Sequence, residues 1–265
     1  MSKSDRSAAL SDFTREPFTS GGATRDVYYL GQGPAVLVIS EAPGITPLVA
    51  RFSRRVADRG LRAVMPHLFG RDGAPLTVAE ALRSLGEICV SREFTLFAKH
   101  QASPVTSWLR DLARAEHGRN GGPGVGVIGM CLTGGFALAM MVDPVVVAPV
   151  LAQPSLPVGR NSKAELGVSA SDLAAIKERA SQGVCVLGYR FTGDKKAPAE
   201  RFARLRAELG DAFIGVEIDS SPSNPWGYPT NSHSVFTEPL GDREGSPTNL
   251  ALEQVLTFFS ERLTP

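Results

Sequence analysis

The chain has 265 residues, 43% of them hydrophobic and 21% charged, which is enough apolar content for a full core and excludes disorder throughout. Its 28 Lys and Arg nearly balance 27 Asp and Glu, so no strong field of one sign draws nucleic acid or an anionic membrane surface. Three cysteines (Cys89, Cys131, Cys185), odd in number and without a CxxC pair, speak against a disulfide framework or a zinc ribbon and fit a reducing compartment.

No long apolar run opens the chain, so no secretory signal is visible, and no uninterrupted apolar stretch reaches the length of a membrane span. The expectation is a soluble cytoplasmic protein in one domain, 1–265, that handles a small molecule and binds neither nucleic acid nor membrane; the oligomeric state is left open. Residues Met1 to about Phe13 are polar and are expected to fray.

"EPFTSGGATRDVYYLG" then predicts an edge hairpin turning near Gly21 and Gly22. "PAVLVIS" is a short apolar run of the kind buried on both faces of a sheet. "ITPLVARFSRRVADRG" has apolar residues at helical spacing and stops at Gly60, and "LRAVMPHLFG" reads as the next strand. From Leu76 to Glu116 the pattern is helical with a break near "QASP", and this stretch is expected to form a cover over the site. "GVGVIGM", "VVVAPVLAQP", "VCVLGYRFTGD" and "FIGVEID" follow as strands, with helices between them and a Ser/Thr-capped helix at the end. Strands alternating with helices predict a mostly parallel α/β sheet covered on both faces.

In such a sheet ligands bind beyond the carboxyl ends of the strands. The residues there are Glu41, His67, Cys131, Asp194 and the loop holding His233. "GMCLTGG" has the form G-x-C-x-x-G between a strand and a helix, the setting of a nucleophile elbow, in which close neighbours must be small. A helix N-terminus favours a thiolate, whereas a free cysteine with a pKa of roughly 8.5 is only slightly ionised near neutrality. A small core cysteine in a glycine-rich junction is the plain alternative. A phosphate-binding reading is weaker, because the glycines lie before or within the strand and neither GKS nor GKT occurs.

An α/β-hydrolase carries its triad in the order nucleophile, acid, histidine. Of His67, His100, His117 and His233, only His233 follows Cys131, in "NSHSVFTEP" after the last strand. Asp194 is the acid expected by the same order, with Asp219 in a less usual place and Asp143 and Asp172 explained by helix boundaries. Alone, an aspartate in a Gly-Asp turn reads as a turn residue and a histidine in a Ser/Thr loop as a solvated group. Three residues in the expected order, each after a strand, set this group apart.

"VISEAPGI", "RAVMPHLFGRDG", "GVIGMCLTGGFALAM", "TGDKKAPAERFARL" and "SHSVFTE" together resemble the dienelactone hydrolases, the cysteine branch of the α/β-hydrolases, over roughly Pro34 to His233. The resemblance implies the α/β-hydrolase fold, with Cys131 as nucleophile, His233 as base and Asp194 as its orienting acid. It implies further that Glu41 contacts the resting thiol and helps deliver the thiolate. The backbone amides of Leu132 and Ala42 would form the oxyanion hole.

The chain departs from the family where an arginine that binds the substrate carboxylate is expected a few residues after the histidine: "HSVFTE" has Thr237 there. The loop before His233 is longer and brings Trp226 and Tyr228. These two, with His67, Arg71 and Arg92, are the candidate pocket residues. The expected activity is hydrolysis of a small ester, lactone or thioester through an acyl-cysteine, with no cofactor and no metal. An oxidation sensor on the same scaffold and an acyltransferase remain as alternatives.

Overall fold

Gly21 and Gly22 take φ of 56° and 78°, the left-handed backbone a tight hairpin needs, and join β1 (Thr14–Ser20) to β2 (Ala23–Leu30) in antiparallel register from Thr14↔Tyr29 to Ser20↔Ala23. The computed structural model describes residues 8–75, 77, 79–84, 104–155, 163–237 and 243–264. Six further strands follow: β3 (Ala35–Ile39), β4 (Arg62–Pro66), β5 (Val125–Met130), β6 (Val146–Ala152), β7 (Val186–Phe191) and β8 (Phe213–Ile218). They form one sheet in the order β1-β2-β4-β3-β5-β6-β7-β8, antiparallel from β1 to β4 and parallel from there on. This is the sheet that the alternation of strands and helices predicts.

The apolar runs behave as expected of strands buried on both faces. In β3, Ala35, Leu37 and Ile39 join one core cluster and Val36 and Val38 the other, so successive residues supply opposite faces. One cover of the sheet is built from α1 (Pro47–Ala57), which Thr46 caps by accepting from the Val49 amide at 3.2 Å and which buries Val49, Phe52 and Val56. The last helix, Pro247–Leu263, packs on the same side and opens on Ser246, whose hydroxyl accepts from the Asn249 amide.

Two expectations need correction. The helix α2 (Pro104–Asn120) lies within the stretch expected to cover the site, yet it buries Val105, Trp108, Leu109 and Leu112 in the core beside β3. Its apolar stripe faces the sheet, so it is a layer of the fold and not a lid. Residues 85–103, the middle of that stretch, lie outside the described residues. At the N-terminus, Leu10 and Phe13 are buried, and the Arg54 guanidinium donates to Asp12 and to the Ala9 carbonyl. Two apolar side chains and a bidentate ion pair hold residues 8–13 in place where fraying was expected.

The order β4-β3-β5 contains the point at which the chain reverses its direction across the sheet: β4 is laid on one side of β3, and β5 on the other. Ile39 pairs with Gly129, so the loops leaving β3 and β5 diverge from adjacent strand ends. A crevice at such a switch point is where open α/β sheets place ligands. Glu41 and Ala42 follow β3 at this point, and Cys131 follows β5. No helix among the described residues is long and apolar enough to cross a membrane.

Candidate active site

Cys131 follows β5 directly and opens a single 3₁₀ turn, Cys131–Thr133, that runs into α3 (Gly134–Met140). Its φ is +57°, a left-handed backbone that costs a residue with a side chain on the order of 1–3 kcal/mol and persists only where the surroundings fix it. Thr133 is one such fixture. Its buried hydroxyl accepts from the Met130 amide at 2.8 Å and reaches the Ile39 and Met130 carbonyls at 2.9 Å, tying the turn to β3.

The glycines are the others. A Cβ on Gly129 would stand 2.1 Å from the Thr133 carbonyl oxygen, and one on Gly134 would stand 2.8 Å from the Pro154 ring. The small neighbours demanded of an elbow are therefore demanded here by backbone contact.

His233 lies on the loop after β8, and its Nδ1 is 2.6 Å from Asp194 Oδ2. Asp194 follows β7, where the Lys196 amide donates to its other oxygen at 2.9 Å. Gly193 beside it has no room for a side chain, since a Cβ would fall 2.0 Å from the Thr230 carbonyl, and its amide donates to Ser220 Oγ at 3.0 Å.

Burial raises the Asp194 carboxyl, but the His233 hydrogen bond and charge and the Lys196 and Ala197 amides outweigh it and hold the group below the usual 3.8. For His233, burial opposes the charged ring, yet the Asp194 bond and the Cys131 sulfur raise its pKa from 6.5 to about 10. The far nitrogen, Nε2, is buried and has no hydrogen-bond partner among the described residues. The ring thus has one nitrogen fixed by a carboxylate and the other free, within electrostatic reach of the elbow cysteine.

The competing acids are accounted for otherwise. Asp219 accepts from the Ser221 amide in its own turn, Asp143 pairs with Arg114, and Asp172 sits in the first turn of its helix near Arg110.

The model of the dienelactone hydrolase family matches residues 24–263. The chain belongs to the dienelactone hydrolase family. It is a hydrolase with the α/β-hydrolase fold. Among solved structures it is similar to a dienelactone hydrolase-like promiscuous phosphotriesterase from metagenomic libraries, at 18% identity and a TM-score of 0.63 over 95% of this chain and 98% of that one. A dienelactone hydrolase from Anabaena variabilis is 16% identical, with a TM-score of 0.62 over 95% of this chain and 99% of that one. The thioesterase domain from the curacin biosynthetic pathway is 11% identical, with a TM-score of 0.55 over 92% and 99%. At these identities the likeness is one of fold. No curated protein matches the chain in sequence.

The family resemblance places Glu41 against the resting thiol, and here the structure differs. The Cys131 sulfur is 3.1 Å from Ser155 Oγ, while the Glu41 carboxylate accepts from Gln153 Nε2 at 3.2 Å, Ser234 Oγ at 2.7 Å and Thr237 Oγ1. Three donors from two other loops occupy the carboxylate, and the thiol turns to the loop after β6, where the Ser155 amide also donates to the Cys131 carbonyl at 2.9 Å. Sequence reasoning missed Ser155, Gln153 and Thr133. The tripeptides "QPS" and "CLT" carry no signal for such contacts beyond their place after strands.

Leu132 directly follows Cys131 and Ala42 lies in the loop after β3, on the other side of the switch point, and among the described residues neither amide donates to a carbonyl of the surrounding turns. The remaining candidates have other partners. His67 Nε2 is 3.1 Å from both Asp72 Oδ1 and the Gly70 carbonyl, and Arg71 pairs with Glu80. Tyr228 is a core residue whose hydroxyl meets Thr248 Oγ1 at 3.0 Å, so its burial takes it out of the pocket assignment. Trp226 is partly buried, with the Arg243 guanidinium 4.9 Å from its ring. Arg92 and Cys89 lie outside the described residues, and Cys185 is a free thiol just before β7 that accepts from Arg262.

Proposed function

We propose that this hydrolase cleaves a small ester, lactone or thioester with Cys131 as nucleophile, His233 as acid and base, and Asp194 as the group that orients the ring. The observation that carries the reading is the His233 ring itself: Nδ1 held by Asp194 at 2.6 Å, and Nε2 buried with no hydrogen-bond partner among the described residues.

In this reading His233 takes the proton of the Cys131 thiol. The thiolate attacks the carbonyl carbon, and the electron pair of the C=O bond moves to oxygen, which the Leu132 and Ala42 amides hold; one such donor is worth on the order of 10²–10³ in rate. As the intermediate collapses, the bond to the leaving group breaks and the imidazolium gives that group its proton. The neutral ring then takes a proton from water, hydroxide adds to the acyl-cysteine, and departure of the thiolate restores the starting pair. Thr237 stands where the family's carboxylate-binding arginine is expected, so an uncharged acyl group suits the site better than a dienelactone carboxylate.

The test is Cys131→Ala assayed on a panel of short p-nitrophenyl esters, lactones and thioesters. The variant is expected to lose turnover of every compound that the wild type cleaves; activity near wild type would remove Cys131 from the mechanism.

A further inference from the structure

Glu41 is buried, with 3% of its surface exposed, and no cation pairs with it among the described residues. A carboxylate taken out of water needs a dense set of donors in place of a cation. Two of its three donors, Ser234 and Thr237, belong to the segment immediately after His233. The third, Gln153, uses its other end on the same segment: its Oε1 accepts from the Val235 amide at 3.2 Å. Residues 234, 235 and 237 are therefore all bound to one carboxylate–amide unit.

Gln153 is fully buried with φ of +36°, and its amide donates to the Tyr189 carbonyl at 2.7 Å. Cys131 and Gln153 are the residues with side chains that take positive φ among the described residues. Backbone strain of this kind is retained where function needs a set geometry.

We infer that Glu41 and Gln153 form a buried anchor that fixes the His233 loop, and that Glu41 acts through the position of the imidazole and not by contact with the thiol. It is a positioning residue. The inference rests on the reading of Cys131 and His233 as the reacting pair.

Glu41→Gln and Glu41→Ala separate the two roles. In Glu41→Gln the amide oxygen can take the place of Oε2, which accepts from Gln153 and Ser234, and the amide nitrogen the place of Oε1, with the Thr237 hydroxyl reversing to accept. Glu41→Ala is expected to lose kcat on the order of 10- to 100-fold with KM little changed, the size of loss that a displaced catalytic group produces. Glu41→Gln is expected to restore most of that loss, and the pH midpoint of Cys131 alkylation by iodoacetamide should be the same as in the wild type.

If Glu41→Ala does not fold, as judged by thermal melting, Gln153→Ala replaces it. That variant breaks the Val235 and Glu41 bonds and leaves the carboxylate in place, and it should show the same fall in kcat at constant KM. A folded Glu41→Gln as inactive as Glu41→Ala, or one whose alkylation midpoint moves, would overturn the inference and make the carboxylate a proton acceptor. Activity retained in Cys131→Ala would instead strike the underlying reading of Cys131 and His233 as the reacting pair, and alkylation reports on the anchor without any substrate.

Discussion

Asp194→Asn changes one atom of the site and reverses the hydrogen bond that orients the base. In the wild type, Oδ1 accepts from the Lys196 amide at 2.9 Å and Oδ2 faces His233 Nδ1 at 2.6 Å. An asparagine has one oxygen for these two donors. With its oxygen toward Lys196, its NH₂ faces Nδ1, which must then accept; the ring proton moves to Nε2, and the ring can no longer take a proton from the thiol. The flipped amide keeps the ring tautomer but sets two N–H groups against each other at the Lys196 amide, which leaves a buried donor unmade at about 1–3 kcal/mol. The first arrangement therefore prevails.

The loss of the carboxylate charge also removes a main support of the raised His233 pKa. General base catalysis contributes about 10²–10⁴ in rate, so kcat/KM should fall by that factor, equivalent to roughly 3–5 kcal/mol of barrier. The assay is kcat/KM on the best ester of the panel, with the His233 tautomer read by ¹⁵N NMR. A variant within about tenfold of wild type, its Nδ1 still protonated, would refute the assignment of Asp194 as the orienting acid.

Two further outcomes follow from the same geometry. Thr133→Val keeps the shape of a fully buried side chain but strips the Met130 amide of its acceptor. The variant should lose about 1–3 kcal/mol of stability, with Tm falling by roughly 2–4 °C per kcal/mol for a chain of this size, and an unchanged Tm would show that Thr133 does not hold the elbow. The second concerns pH. The folded His233 pKa lies above 6.5, so its contribution is complete below about 6.5 and fades as pH rises through about 10; the folded Asp194 pKa lies below 3.8, so its contribution is present above that value and fades as acid is added. The stability gap between wild type and His233→Asn, measured by denaturant titration, should be widest from about pH 4 to 6.5 and narrow toward 10; a gap that widens with alkali would contradict the raised pKa.

The sequence by itself determined the parts of this protein that depend on neighbours along the chain or on chain order. A run such as "PAVLVIS" has one stable use in a folded domain, and glycines at fixed offsets around Cys131 mark a turn that no larger residue fits, so the sheet, the elbow and the order Cys131, Asp194, His233 are all legible. Only the tertiary structure decided which groups meet. Periodicity says that α2 has an apolar stripe but not what covers it, and the sheet covers it where a lid was expected. Asp194 and Asp219 look alike as residues after strands, and the 2.6 Å contact with His233 selects between them. Glu41 touches residues more than 100 positions away, and Ser155 reaches Cys131 from the next strand. A hydrogen bond forms or fails within a few tenths of an ångström, and that precision comes from packing the whole sheet, which no local stretch of sequence contains.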